Sequence, residues 1–355
     1  MFKKTDPNPQ LDIFTAPSMQ LGSRASKKYS DPNAWHNQFY SLVTTKIDEE
    51  IFKPLFPEGK KSGRPNASIR ILVAMSVLRE GFGCSDEDLF EKCEFDLLTR
   101  KALGMELLTE VTPSIDTYYL FRRRICEYQE RTGIDLMQLC FEQLAGKHVH
   151  LLKISGKCVR MDSKLIGSNI ARQSRYELIH TTLVKFLKTC TLTHLSPEQE
   201  ERAKEYLKED SSKTVYRSDS DTLQSNLARI GNFSMEMLAV FPATSPAHDL
   251  LLRLFEEQYV VMDGKAVLRD KKEVKADSLQ NPNDPDATYR AKNDQKVQGY
   301  VTNITETVEE GKPNIITSVQ VETAVFADCH FLQEAVENSE RVTDSTIEDL
   351  YADGN

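Results

Sequence analysis

The first half of the chain carries apolar residues at helical spacing, separated by residues that begin or end helices. The clearest run is Ile69, Leu72, Val73, Val77 and Leu78. This spacing predicts a helix over the run, and Gly81 and Gly83 predict its end. Ser85, with Asp88 three positions later, has the pattern of a capping box and predicts the start of the next helix.

Two further helices are predicted in this half of the chain. One begins at Ser114 and runs through the arginines at 122–124, and the other covers residues 134–144. With the helical pattern that begins near residue 35, these segments predict an all-helical domain at residues 35–150. Residues 1–34 are rich in Pro, Ser, Asn and Lys, and we expect them to form a loosely ordered arm.

The pattern changes in residues 151–355, where short strand-like runs flank a helical stretch. The predicted elements are a strand at 157–166, helices within 171–262, a loop-like segment at 263–296, strands at 297–306 and 314–322, a helix at 329–339 and a final short run at 347–353. A hairpin followed by a helix and another strand suits a mixed sheet whose first and last strands lie side by side. The predicted fold class is therefore α+β, with a helical insertion at about 171–285.

Charge is distributed unevenly along the chain, whose net charge is −9. Residues 301–355 contain two basic and twelve acidic residues, so the first 300 residues are nearly neutral. A nucleic-acid surface in the first half is therefore compatible with the acidic total. The seven cysteines are scattered singly, which is typical of a reduced compartment. Since no long apolar run or signal-like N-terminus is present, we expect a cytoplasmic protein without membrane contact.

Two aspartates fall at the predicted C-terminal ends of short strands, Asp162 and Asp353. If those strands are neighbours, the two carboxylates converge at one edge of the sheet. Convergent carboxylates are suitable ligands for Mg²⁺, and paired Mg²⁺ ions support phosphoryl displacement. Aspartate is also common wherever a strand ends or a turn begins, so spacing alone leaves both interpretations open.

Several groups of residues resemble, in the expected order, motifs of insertion-sequence transposases. They are Gly63-Arg64-Pro65, Arg79 to Ser85, Pro113 to Thr117 with Phe121 to Arg124, Met161-Asp162-Ser163, Pro285 to Thr288 with the basic stretch to Lys296 and Gly299-Tyr300, and Leu350 to Gly354. The first three resemble the InsH-type N-terminal domain. The others resemble the catalytic domain of DDE transposases, so the similarity runs from about residue 35 to the end.

The resemblance implies an incomplete ribonuclease H-like catalytic domain interrupted by a helical insertion. Asp162 would be the first catalytic, metal-binding carboxylate and Asp353 the second, holding two Mg²⁺ ions, with Mn²⁺ as a substitute. It also implies cleavage and joining of double-stranded DNA at terminal inverted repeats and target sites, with self-association on DNA. The family's third carboxylate, a downstream Glu, has no match here. We therefore expect a truncated and inactive chain.

Two alternatives remain open at the level of sequence. A truncated or repurposed chain would bind DNA through its helical domain without catalysis, and another ribonuclease H-like nuclease would cleave DNA structures without transposition.

For the DNA contacts themselves, the candidates are basic residues that would hold phosphates without reading sequence. They are Lys60, Lys61, Arg64, Arg122, Arg123 and Arg124. The last three fan around a helix at roughly 100° per residue, so they cannot all face one groove.

Overall fold

The computed structural model describes residues 2, 4, 20–56, 66–241, 245–292 and 295–352. Its first half is helical, with 3₁₀ turns at Thr44–Lys46 and Glu49–Leu55. The helices are α1 (Ser23–Tyr29), α2 (Trp35–Leu42), α3 (Ile69–Phe82), α4 (Asp86–Phe95), α5 (Leu97–Leu103), α6 (Ile115–Thr132) and α7 (Leu136–Leu152).

Local capping signals place the helix starts in this region. Ser85 and Asp88 form the reciprocal capping box that opens α4, as predicted. Ser114 caps α6, and α3 ends at Gly83 in the left-handed conformation, again as predicted. The predicted end of α7 at residue 144 is wrong. The helix continues to Leu152 because its apolar face continues as far as the buried Val149.

The predicted arm at residues 1–34 differs from the structure in its described part. Residues 23–29 form α1, and its last residue, Tyr29, is buried. The Tyr29 carbonyl accepts hydrogen bonds from His36 Nε2 at 2.9 Å and from Asn37 Nδ2 at 2.8 Å. These contacts come from the following helix, so the polar composition of the segment did not reveal them.

The helical core is apolar, and the buried cations Arg70 and Arg100 lie among its helices. The fully buried residues include Phe52, Ile69, Val73, Met75, Leu89, Leu103 and Tyr118. Arg100 on α5 is also buried and donates to the carbonyl oxygens of Cys93, Leu107 and Glu110 at 2.7–3.0 Å. These bonds compensate the cost of burying the guanidinium and fix the loop that precedes α6.

The second half combines a sheet with a helical insertion. Its helices are α8 (Arg175–Leu187), α9 (Pro197–Lys208), α10 (Ser211–Arg217), α11 (Ser220–Val240), α12 (Pro246–Gln258) and α13 (Leu332–Thr343). Its strands are β1 (Cys158–Gly167), β2 (Tyr259–Met262), β3 (Lys265–Leu268), β4 (Thr288–Lys292), β5 (Gln295–Thr307), β6 (Ile316–Thr323) and β7 (Asp349–Ala352).

The sheet confirms the α+β fold class. Its strand order is β4-β5-β1-β7, with β6 also paired to β5, while β2 and β3 form a separate hairpin. The predicted neighbours, the first and last strands, do lie side by side as β1 and β7. The segment at 263–296, predicted as loop-like, contains β3 and β4. The polar and charged composition of this segment did not predict these two short strands, which form through pairing with β2 and β5.

The described residues divide into two compact units. The first is drawn from residues 1–160, 306–318 and 337–351, and the second from residues 161–305, 319–336 and 352–355. The first unit contains the helical core described above. Within the described part of the chain, no helix combines the length and apolar character needed to cross a membrane.

Helix α13 packs on β6 largely through polar groups. Asn338 Nδ2 donates to Ser318 Oγ at 3.1 Å, and Gln320 Nε2 donates to Glu334 Oε2 at 3.2 Å. The hydroxyls of Thr317 and Ser339 are 2.7 Å apart and completely buried. The interior between this helix and the sheet is therefore held by hydrogen bonds more than by apolar packing.

The helical insertion has its own apolar core, formed by α8, α9, α11 and α12. Ser174 and Ser196 open α8 and α9 with capping boxes, the second as predicted. At its centre Tyr259 is buried and donates its hydroxyl to the Leu227 carbonyl at 2.8 Å. Gly231 lies under this ring, and a Cβ at that position would lie 2.3 Å from Tyr259 Cε1. The absence of a side chain at Gly231 therefore lets the tyrosine reach α11.

We expect Gly231→Ala to destabilise the protein by about 1–3 kcal/mol, because the ring must leave its position to accept the added methyl group. Gly81→Ala is the matched control, since its Cβ meets nothing within 4 Å. That helix substitution should be neutral or stabilising by up to about 1 kcal/mol. Urea unfolding followed by far-UV circular dichroism measures both. Equal stabilities of the two variants would contradict the packing described for Tyr259.

Candidate active site and nucleic-acid interface

Asp162 lies on β1 with its side chain exposed. Along this strand Arg160, Asp162, Lys164 and Ile166 are exposed, while the alternate residues are buried or half-buried. The predicted strand at 157–166 nearly coincides with β1, but the prediction that Asp162 ends the strand is wrong, because β1 continues to Gly167.

The pairing of β1 with β5 places neutral side chains opposite Asp162. Val308 N donates to Cys158 O at one end, and Ser168 N donates to Gln298 O at the other. Both bonds fit the same antiparallel register of β1 and β5, and in that register Asp162 lies opposite Ile304. Among the described residues, the side chain of Asp162 has no hydrogen-bond or ion-pair partner, so both of its carboxylate oxygens are available to a ligand.

Two cations flank Asp162 on the same face of β1. Arg160 is neutralised by Glu306, with Nη2 and Oε1 2.5 Å apart. Lys164 faces the neutral Thr302 by the same register, and within the described ranges it has no acidic partner within 4 Å. Residues two positions apart on a strand are about 6.6 Å apart. The face therefore combines an available carboxylate with one available positive charge.

The second candidate carboxylate, Asp353, lies outside the described residues. The preceding strand β7 pairs next to β1, as the sequence predicts. Glu348 N and Asp349 N both approach Lys157 O, at 2.7 and 3.2 Å. Within the described ranges, no three His, Cys, Asp or Glu side chains are grouped to hold a metal ion.

The candidate DNA contacts fall into two groups. Lys60, Lys61 and Arg64 lie outside the described residues. Arg122, Arg123 and Arg124 diverge around α6, in agreement with the predicted fan.

The three α6 arginines have different surroundings. Arg122 Nη1 lies 3.8 Å from Asp86 Oδ2, and Arg123 Nε lies 3.6 Å from Glu127 Oε1. Both are exposed, whereas Arg124 is half-buried and lines a cavity of about 670 Å³. Partial neutralisation by acidic neighbours lowers the charge that Arg122 and Arg123 offer to phosphates.

A polar cluster at the end of β1 was not predicted. Asp284 accepts hydrogen bonds from Ser168 Oγ at 2.5 Å and from the hydroxyl of Tyr300. Burial, followed by the hydrogen bond to Asp284, raises the pKa of Tyr300. The three residues are far apart in sequence, so no local pattern connects them.

Gly299 allows the backbone of β5 to approach β1 closely at this point. A Cβ on Gly299 would lie 2.2 Å from the Ile166 carbonyl oxygen and 2.6 Å from Ser168 N. The absence of a side chain at Gly299 therefore permits this close packing. The segment before β4 is held nearby, because Lys185 Nζ donates to Pro282 O at 2.6 Å and Arg253 Nη1 donates to Pro285 O at 2.9 Å.

Basic residues of the insertion serve this scaffold too. Arg172 Nη2 donates to Lys296 O at 2.9 Å, and Arg175 Nε donates to Gln258 Oε1 at 2.7 Å. Their bonds tie them to the protein itself.

Comparison with known proteins gives one positive result. Residues 28–124 match the family model described as "Transposase domain (DUF772)". This segment is therefore similar to that family of transposase domains. The matched segment runs from the end of α1 to the arginines of α6 and includes most of the helical core. The comparisons with curated proteins and with solved structures gave no match.

We expect Tyr300→Phe to destabilise the protein by about 1–2 kcal/mol at pH 7, because Asp284 loses a hydrogen-bond donor. The folded pKa of Tyr300 is raised, so its contribution is complete below the unfolded pKa of about 10 and falls as pH rises above it. The stability difference should therefore shrink between about pH 10 and 11. Urea unfolding at several pH values tests this, with the exposed Tyr216→Phe as control. A difference that stays constant with pH would contradict the assignment.

Proposed function

We propose that the protein is a DDE-type transposase of an insertion sequence, acting on double-stranded DNA. The match of residues 28–124 to a transposase domain carries the proposal. The strand order supports it, since the neighbouring β1 and β7 suit a ribonuclease H-like sheet. The resemblance of the residues around Asp162 and Asp353 to DDE motifs adds the reaction type.

Asp162 fits the role of a metal ligand on the observation that its carboxylate is exposed and lacks protein partners in the described part of the chain. Asp353 is the second proposed ligand. Mg²⁺ bound there would supply the positive charge that stabilises phosphoryl displacement. The rigid pairing of β1 fixes Asp162 before DNA arrives, so little reorganisation is needed on binding.

Lys164 complements this arrangement as a positioning residue for DNA. Its ammonium group lies on the same face of β1 as Asp162, at strand spacing, and it is not committed to an acidic neighbour among the described residues. A DNA phosphate close to Asp162 is attracted by this charge, while Arg160 is held by Glu306.

DNA binding without catalysis is the second candidate function. It is favoured by the fact that the family match falls entirely in the helical part and does not reach β1. The two functions differ in whether Mg²⁺ changes the covalent state of the DNA.

We expect Asp162→Asn, introduced into a chain extended to include the third carboxylate, to lower Mg²⁺-dependent nicking of DNA from the flanks of the gene by at least about a hundredfold. DNA affinity and unfolding midpoint should remain unchanged because the side chain is exposed. Glu322→Gln, the same chemical change at an exposed position on β6, is the control.

Gel analysis of a supercoiled plasmid carrying the flanking DNA measures nicking. Wild-type rates in Asp162→Asn would reject this residue as a ligand. DNA binding by the wild type without nicking at any Mg²⁺ or Mn²⁺ concentration would favour the binding function.

We expect Lys164→Ala to weaken duplex binding and to reduce the salt dependence of the affinity by about one unit of slope, since one phosphate contact is lost. Lys164→Arg should retain both. Fluorescence anisotropy over a range of salt concentrations makes the measurement, with the exposed Lys188→Ala as control. An unchanged slope in Lys164→Ala would remove this residue from the DNA interface.

A further inference from the structure

Helix α1 carries three cations on one exposed face. Arg24, Lys27 and Lys28 are exposed and stand at positions i, i+3 and i+4. At about 100° per residue, these positions lie within an arc of roughly 100°. The three charges therefore point to the same side of the helix.

These cations are not neutralised by neighbours. Within the described residues, none of the three has an ion pair or a side-chain hydrogen bond, whereas Arg79, Arg122 and Arg123 are all close to carboxylates. Between residues 20 and 47 the sequence contains one acidic residue, Asp31. Its Oδ1 accepts a hydrogen bond from Asn33 N. Within the described part of the chain, the positive charge of α1 is thus uncompensated.

The helix is also fixed in place. Its last residue, Tyr29, is buried, and its carbonyl accepts the two hydrogen bonds from α2. Lys101 Nζ lies 5.7 Å from the centroid of the Tyr29 ring. A cationic face on an anchored helix loses less conformational entropy on binding than one on a free arm.

We propose that Arg24, Lys27 and Lys28 form a contact surface for the phosphate backbone of duplex DNA. This inference rests on the proposed function and names a DNA contact within it. The three charges span about 6 Å of helix, which is nearly two steps of the roughly 3.4 Å spacing of phosphates along the duplex axis on one strand. Lysine binds phosphate as a point charge, so this surface positions the DNA and leaves sequence reading to other residues.

The composition of α1 favours DNA over a lipid surface. A helix that binds membranes presents a large apolar face beside its cations. The large apolar residue of α1 is Tyr29, and it is buried within the protein. The exposed positions on either side of Arg24 are small, Ser23 and Ala25.

The test uses the full chain and three triple variants. R24A/K27A/K28A removes the charge, R24K/K27R/K28R preserves it, and K271A/K272A/K275A removes the same charge from an exposed loop elsewhere. Anisotropy with a labelled duplex between ~50 and 200 mM salt gives affinity and salt slope. Thermal unfolding verifies that each variant is folded.

We expect the alanine variant of α1 to bind at least about tenfold more weakly and to lose about two to three units of salt slope. The charge-preserving variant should bind like the wild type, and the loop variant should lose much less. If the wild type binds the duplex and the α1 and loop alanine variants lose equal affinity for it, the α1 contact surface is rejected while the proposed function stands. Absence of duplex binding by the wild type would reject the proposed function itself. If the α1 alanine variant binds the duplex like the wild type but loses binding to anionic phospholipid vesicles, the DNA assignment is also overturned.

Discussion

Strand β1 is paired along both edges, and the geometry of the proposed catalytic face depends on this pairing. The ten-residue β1 lies between β5 on one side and the four-residue β7 on the other. Its alternation then decides which side chains face outward, and Asp162 and Lys164 are among them. A shift of one residue in this register would turn both charges to the other face and expose Met161, Ser163 and Leu165 in their place.

Local signals were enough to predict helix starts and the fold class. Ser85, Ser114 and Ser196 cap helices through bonds to residues two or three positions away, so a short stretch of sequence contains the whole interaction. The adjacency of the first and last strands followed from the order of elements. Such features need no knowledge of distant contacts.

The features that the sequence did not reveal depend on distant partners. Helix α1 is ordered by side chains of the next helix. Asp284 joins Ser168 and Tyr300 in the same way. For α1, a spacing of cations at i, i+3 and i+4 was available as a signal, but it has meaning only once the segment is known to be helical.

The hydrogen bonds between α13 and β6 limit the positions that this helix can take. An apolar interface tolerates sliding of one element along another, because one methyl group can replace another at small cost. Paired polar groups such as Thr317 with Ser339 and Ser318 with Asn338 do not, since a displacement of one turn would leave buried donors and acceptors unpaired. Helix α13 directly precedes β7 in the chain. The hydrogen bonds that fix α13 on β6 therefore also fix the position at which the chain enters the sheet beside β1.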